Sequence, residues 1–106
     1  MFWCLYFEFY NSSDGWLSVE GKAYRFDGNS WTLYEETGND YIDYEQLQML
    51  SPTNIWAAGR YGIDNFDGSI WNRITIPTSD WLNGIHMISP TSGWAVGANG
   101  VILRYK

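Results

Sequence analysis

The sequence predicts an all-β fold made of β-propeller blades of four antiparallel strands, with about 2.7 to 3 blades in the chain. Three segments align without gaps, and each ends in a tryptophan: residues 7–16, 47–56 and 85–94. These tryptophans lie 40 and then 38 residues apart, a period typical of a propeller blade or a similar repeat. Short aromatic-rich runs separated by Gly, Asn, Asp and Ser also favour β-strands over helices.

The middle repeat shows the order of elements most completely. Its predicted strands are 47–50, 55–59, 63–66 and 70–76. Pro77 ends the last of them, and turn-forming residues separate the others. Four short antiparallel strands within about forty residues make one propeller blade.

The flanking repeats follow the same plan. The first has predicted strands at 16–19, 23–26 and 30–34, and the third has them at 94–97 and 101–105. The pair Asn99-Gly100 favours a tight hairpin, because such turns need two residues that accept positive φ. We therefore divide the chain into blade 1 (about 7–46), blade 2 (about 47–84) and blade 3 (about 85–106).

The third blade lacks a fourth strand in this sequence. Residues 3–6 resemble residues 31–34, so the segment 1–6 could supply that strand, although no loop separates it from the first repeat. Propellers close with about four to eight blades, so an arc of this size exposes apolar faces at both ends. We expect a homo-oligomer (two copies would give six blades) or part of a longer propeller, and an open repeat piece is the remaining alternative.

Composition excludes several functions. The net charge is −6 and the four arginines are scattered, so we expect no nucleic acid partner. The chain has one cysteine and one histidine, which predicts no metal site and no cofactor. The apolar segment 1–10 is interrupted by Glu8 and has no basic n-region, so it predicts neither a signal peptide nor a membrane span.

Two motifs carry a resemblance to known repeat families. Residues 94–102 read Trp-Ala-Val-Gly-x-x-Gly-x-Ile, which resembles the blades of photosystem II assembly-factor-like propellers. Residues 26–31 and 66–71 read Phe-Asp-Gly-x-x-Trp, which resembles a shortened bacterial neuraminidase repeat, or Asp-box, without its leading serine. The resemblance implies that the aspartate accepts backbone donors in its turn and that the tryptophan packs between sheets. It also favours an extracellular or periplasmic location.

These motifs assign a set of residues to the scaffold. Each is a repeat tryptophan, a member of an Asp-box-like turn, or a strand-end or hairpin glycine: Trp16, Trp56, Trp94, Asp27, Trp31, Asp67, Trp71, Gly59, Gly62, Gly97 and Gly100.

The predicted binding face is the one opposite the Asp-box turns, where propellers of the resembling families generally bind. Because successive turns of a blade alternate between faces, the links 35–46 and 77–84 should lie there with the hairpins 20–22, 60–61 and 98–99. The predicted ligand contacts are Glu35, Glu36, Asp40, Tyr41, Asp43, Arg60, Tyr61, Asp80, Trp81 and Asn99.

Several of these residues allow two interpretations. The acidic segment 35–45 could bind a cation or a basic partner, or it could be a solvated loop. Trp81 could stack on a sugar ring, or it could be buried at the start of the third blade. His86 aligns with Gln48 in the innermost strand, which favours a structural role over metal ligation.

The sequence thus predicts a non-enzymatic binding or assembly module whose partner is a protein. One alternative is a fragment of a sialidase-like or other glycoside-acting propeller. Another is a carbohydrate-binding propeller, which would have a glycan as its ligand. Sialidase-type catalysis needs an arginine cluster and a tyrosine–glutamate pair, and four separated arginines do not predict that arrangement.

Overall fold

The computed structural model describes residues 6–19, 22–34 and 44–106, and it is all-β, as the sequence predicts. Its strands form three antiparallel sheets in which sequential strands are neighbours, consistent with propeller-like blades that do not close into a ring. No helix in the described ranges is long and apolar enough to cross a membrane.

The strand bounds are as follows. Sheet 1 contains β1 (Tyr6–Asn11), β2 (Asp14–Val19), β3 (Lys22–Phe26) and β4 (Trp31–Leu33). Sheet 2 contains β5 (Tyr44–Ser51), β6 (Asn54–Gly59), β7 (Gly62–Phe66) and β8 (Trp71–Ile74). Sheet 3 contains β9 (Leu82–Ser89), β10 (Ser92–Gly97) and β11 (Ile102–Tyr105).

The three sheets stack in sequence order, with their first strands β1, β5 and β9 adjacent at the centre. We call the face of each sheet that carries its repeat tryptophan the front face, and the opposite one the back face. Pairing register makes the sheets equivalent, because Trp16 lies between Glu8 and Arg25 as Trp56 lies between Gln48 and Asn65. Trp94 lies between His86 and Arg104 in the same way.

The front face of sheet 1 packs against the back face of sheet 2. Trp16 meets Phe66 and Trp71 there, with ring centroids 5.0 and 5.2 Å from its own. Phe66 and Trp71 lie 5.3 Å apart, so the three buried rings touch one another and form what we call the aromatic triad. Burying such large rings supplies much of the stabilisation of this joint.

The front face of sheet 2 packs against the back face of sheet 3 in the same manner. Trp56, Ala58 and Ile63 pack against apolar residues of sheet 3, including Leu82, Ile85, Met87 and Ala95. Two glutamines connect the neighbouring first strands. The Ile85 N–H donates to Gln46 Oε1 at 2.7 Å, and Gln48 both accepts from Met87 N–H at 2.6 Å and donates to Met87 O at 3.0 Å.

The two Asp-Gly turns are held by their aspartates. Asp67 Oδ1 accepts hydrogen bonds from the Ser69 and Ile70 N–H groups at 2.9 and 3.1 Å, and Asp27 accepts from two equivalent donors. These backbone donors, chiefly Ile70 N–H in the second turn, hold the pKa of each carboxyl below its usual 3.8. The following glycines have φ of +102° and +103°, a region that other residues rarely adopt.

The Asn99-Gly100 hairpin also has the predicted backbone. Both residues have positive φ, 58° and 73°, and the Val101 N–H donates to Ala98 O across them. These are features of a type I′ turn, whose twist matches that of the strands it joins.

The structure differs from the sequence prediction at some strand ends. β5 begins at Tyr44 rather than 47, because Tyr44 pairs with Gly59 past a bulge that hydrophobic alternation does not reveal. β8 ends at Ile74 rather than 76, because its partner β7 begins at Gly62 and the last paired residues are Ile63 and Ile74. Tyr6, which we assigned to a possible outer strand with residues 1–5, pairs with Ser18 in β1, and residues 1–5 are outside the described part.

Candidate functional site

Half of the predicted ligand contacts can be located. Five of them lie together where sheets 2 and 3 meet, and we call them the Arg60 cluster: Arg60, Tyr61, Asp80, Trp81 and Asn99. The other five are outside the described residues: Glu35, Glu36, Asp40, Tyr41 and Asp43.

A close backbone approach positions the link that carries Trp81. The Ala98 N–H donates to Trp81 O at 2.8 Å, which ties the link to the β10–β11 hairpin. A Cβ atom at Gly97 would overlap the same Trp81 carbonyl oxygen, so only glycine permits this approach. Gly97 therefore determines where Trp81 lies.

Asp80 fixes the same link with polar contacts. Its Oδ1 accepts a hydrogen bond from Asn99 Nδ2 at 2.9 Å. Its Oδ2 accepts from Thr78 Oγ1 at 2.9 Å, and its N–H donates to that hydroxyl at 3.1 Å. The link is thus held at several points before any ligand arrives.

Aromatic rings and a guanidinium group form the exposed part of the cluster. The Arg60 Cζ lies 4.8 Å from the Trp81 ring centroid and 5.5 Å from that of Tyr61, within cation–π range. Trp81 is 48% exposed, so the interpretation of Trp81 as a buried strand residue is wrong.

A cleft of about 280 Å³ lies beside Tyr61. Arg60, Tyr61 and Asp80 contribute to its wall, together with Arg73, the hydroxyls of the segment 78–79 and the aliphatic side chains of Ile74 and Ile76. Guanidinium, carboxylate and hydroxyl groups at an apolar-walled cleft can hydrogen-bond a polar group while a ring packs beside it.

Sequence reasoning missed a polar cluster in the joint between sheets 1 and 2. Tyr44 Oη donates to Asp64 Oδ2 at 2.6 Å, and Arg73 Nε lies 2.6 Å from Asp64 Oδ1. Asp64 follows Ile63 and shares its face of β7 with Phe66 two residues later, which was the available signal for a buried, paired charge.

This polar cluster is structural. Burial, followed by the charge of Asp64, raises the pKa of the Tyr44 hydroxyl far above its usual 10. A nucleophilic tyrosine would need the opposite shift and access to substrate, whereas Tyr44 and Asp64 are both buried. A Tyr–Asp–Arg grouping here therefore gives no support to a sialidase-like site.

Within the described residues, no group of three or more His, Cys, Asp or Glu side chains is placed to hold a metal ion. No protein-family model matches the chain, and no curated protein matches it significantly. Functional inference therefore depends on the geometry of this chain.

Proposed function

We propose that the protein is a non-enzymatic binding or assembly module that holds a protein partner on the Arg60 cluster. The observation that carries the proposal is the stacking of Arg60 on two exposed rings, Trp81 and Tyr61, on a link that is already fixed.

Trp, Tyr and Arg are the residues that most often dominate the binding energy of protein interfaces. A fixed geometry adds to affinity, because the side chains and the link lose little conformational freedom on binding. The contacts of Asp80 and the backbone bond between Ala98 and Trp81 supply that rigidity. The neighbouring cleft could receive one side chain of the partner.

A glycan is the second candidate ligand, favoured by the exposure of Trp81 beside Asp80. Sugar rings stack on a bare indole face, but the Arg60 guanidinium covers one face of Trp81. This geometry fits a protein side chain or main chain better than a sugar ring. The proposal that the chain belongs to a larger glycoside-acting propeller has no comparable support among the described residues.

The test compares two tryptophans that are alike in exposure and in their arginine neighbour. Trp81 is 48% exposed beneath Arg60, and Trp94 is 42% exposed beneath Arg104 on a different surface. Immobilised wild-type, Trp81→Ala and Trp94→Ala chains are incubated with soluble proteins of the source organism, and retained proteins are quantified by mass spectrometry. We expect a protein that the wild type and Trp94→Ala retain, and that Trp81→Ala retains at least about tenfold less. Proteins that are lost only with Trp94→Ala report on the uncovered face of sheet 3 and do not count for the Arg60 cluster.

Two results would contradict this proposal. One is a set of retained proteins that does not change with Trp81→Ala, and the same three chains on a glycan array would then show whether a sugar depends on Trp81. The other is turnover of a fluorogenic sialoside that a carboxylate substitution abolishes, which would make the chain part of an enzyme.

We also propose that copies of this chain associate with one another. No described residue covers the back face of sheet 1. There the ring centroid of Phe9 lies 5.8 Å from that of Phe26 and 5.7 Å from that of Trp31. The front face of sheet 3 is not covered by any part of the chain that the structure describes either, and it presents Val96 and Ile102. Both joints of the molecule pair a front face with a back face, so the two exposed faces are of complementary types.

A further inference from the structure

Among the described residues, the joint between sheets 2 and 3 contains two rings of an aromatic triad and lacks the third. Trp56 is the counterpart of Trp16. Tyr105 is the counterpart of Phe66, because each of these two residues pairs with the residue directly before the repeat tryptophan of its own sheet. The Trp56 and Tyr105 centroids lie 5.4 Å apart, close to the 5.0 Å between Trp16 and Phe66. No described residue takes the place that Trp71 has at the other joint.

A cavity occupies that place. It measures about 280 Å³, and its wall includes Trp56, Tyr105, Ile74, Met87 and Leu103. The unfilled space leaves Tyr105 43% exposed, whereas Phe66 in the complete triad is 0% exposed. Ile74, three residues after Trp71, has the place that Tyr34, three residues after Trp31, has at the other joint, and its smaller side chain widens the space further.

The neighbouring sheet edge is also unpaired among the described strands. β3 and β7 each pair with a fourth strand on their outer side, but β11 pairs only with β10. An unpaired edge presents backbone N–H and C=O groups at the spacing that an added strand requires. Edge and cavity adjoin, because Leu103 and Tyr105 belong to both.

We propose that this edge and cavity form a peptide-binding site, which accepts an extended segment of another protein chain as the fourth strand of sheet 3. The segment pairs antiparallel with β11 and places a tryptophan side chain in the cavity, where it completes the triad with Trp56 and Tyr105.

The register of β8 on β7 specifies the rest of the bound segment. Trp71 faces Phe66, Asn72 faces Asn65, and Ile74 faces Ile63. On β11 the corresponding residues are Tyr105, Arg104 and Ile102. The segment should therefore have a tryptophan opposite Tyr105, an acidic residue next to it opposite Arg104, and apolar residues after that opposite Leu103 and Ile102.

The buried indole nitrogen of Trp56 does not guide this choice of ligand. Its Nε1 has no hydrogen-bond partner among the described residues, but the Nε1 atoms of Trp16 and Trp71 in the complete triad have none either. The site therefore selects for ring shape and strand pairing rather than for an acceptor.

The test uses a fluorescein-labelled synthetic peptide with the sequence of residues 68–76, carrying Arg73→Leu so that an apolar side chain faces Leu103. Binding to the complete chain is measured by fluorescence anisotropy. The peptide should bind at least about tenfold more tightly than the same peptide with Trp71→Ala, because the tryptophan supplies the buried ring. Adding Asn72→Glu to the peptide should tighten binding by about two- to fivefold at low salt.

The protein variant Tyr105→Ala removes one wall of the cavity and should weaken binding by about tenfold. Tyr10→Ala is the matched control, because Tyr10 is a similarly exposed strand tyrosine on sheet 1. Hydrogen exchange adds a readout for strand pairing, since backbone amides of β11 should exchange more slowly when the peptide is bound. Equal affinities for the Trp and Ala peptides, no effect of Tyr105→Ala, no slowing in β11 or no binding at millimolar peptide would each overturn the proposal.

Discussion

At the scale of residues, position in the stack decides what a repeated side chain does. Trp71 and Trp31 have the same place in the motif Phe-Asp-Gly-x-x-Trp, and each faces the phenylalanine of its own turn. Trp71 is 0% exposed because sheet 1 covers it, whereas Trp31 is 39% exposed because no described residue covers the back face of sheet 1. The sequence predicted both as packed between sheets, since the motif does not record which neighbours are present.

This pair gives a matched test of packing. Trp71→Ala should lower the free energy of unfolding by about 3–5 kcal/mol, because it leaves a cavity between two sheets. Trp31→Ala should lower it by only about 1 kcal/mol, the scale of its contacts with Phe9 and Phe26. Urea unfolding followed by far-ultraviolet circular dichroism measures both, and similar losses for the two variants would contradict the stacking order.

At the scale of elements, one polar cluster connects three strands of sheet 2. A short hydrogen bond joins Tyr44 in β5 to Asp64 in β7, and an ion pair joins Asp64 to Arg73 in β8. Of these residues, Asp64 and Arg73 are direct partners on neighbouring strands, whereas Tyr44 lies two strands away from Asp64. A buried carboxylate is tolerated only when such partners compensate its lost hydration. The cluster therefore holds the outer strand β8 to the inner strand β5 across the sheet.

Removing the Tyr44 hydroxyl tests this connection. Tyr44→Phe should cost about 1–3 kcal/mol at pH 7, because Asp64 loses one of its hydrogen bonds. The folded-state pKa of Tyr44 is raised, so its contribution is complete below the unfolded pKa of about 10 and declines as pH rises above it.

Urea unfolding of both chains at pH 7 and pH 10.5 measures this pH dependence. The wild type should lose more stability between these pH values than Tyr44→Phe does, and equal losses would show that Tyr44 is not linked to folding.

Much of the element order follows from the sequence, and the reasons for the exceptions are physical. Turn chemistry located the hairpins well, because Asp-Gly and Asn-Gly place positive φ at defined residues. Strand ends were harder to predict from the sequence, because the limits of β5 and β8 depend on a bulge and on the length of a partner strand. The environment of Trp81 was also undetermined, since it depends on the contact of Gly97 with the Trp81 carbonyl, between residues distant in sequence.

At the scale of the whole molecule, the two ends of the stack are different surfaces. Sheet 1 presents an aromatic back face, and sheet 3 presents a front face with Trp94 beneath Arg104. At the joint between sheets 1 and 2, the counterpart of that pair is Arg25 over Trp16, and Arg25 there also lies over Phe66 of the next sheet. Phe26 of sheet 1 is the counterpart of Phe66, so a second copy could present the equivalent ring to Arg104.

This correspondence predicts the behaviour of surface variants in solution. The wild type should have a mass above the 12.3 kDa of one chain by light scattering, rising with concentration. Phe7→Asp on the back face of sheet 1, or Val96→Asp on the front face of sheet 3, should lower the measured mass to that of one chain, because each substitution would bury a charge in the contact between copies. Ile70→Asp is the control, since Ile70 is exposed in a turn outside both faces.

A wild-type mass of one chain at all concentrations up to about 100 μM would contradict the proposed association. Loss of association in Ile70→Asp as well would show a general effect of added charge.

Unlike ends also give the stack a polarity. A contact between two copies that joins the back face of one to the front face of the next is heterologous, so each added copy leaves the same pair of unlike ends available. Such growth stops only if the rotation between successive sheets returns the last copy to the first; otherwise it continues as a filament. If copies join as the sheets do at the two internal joints, the angle at those joints, rather than the chemistry of the exposed faces, determines whether such an assembly is finite.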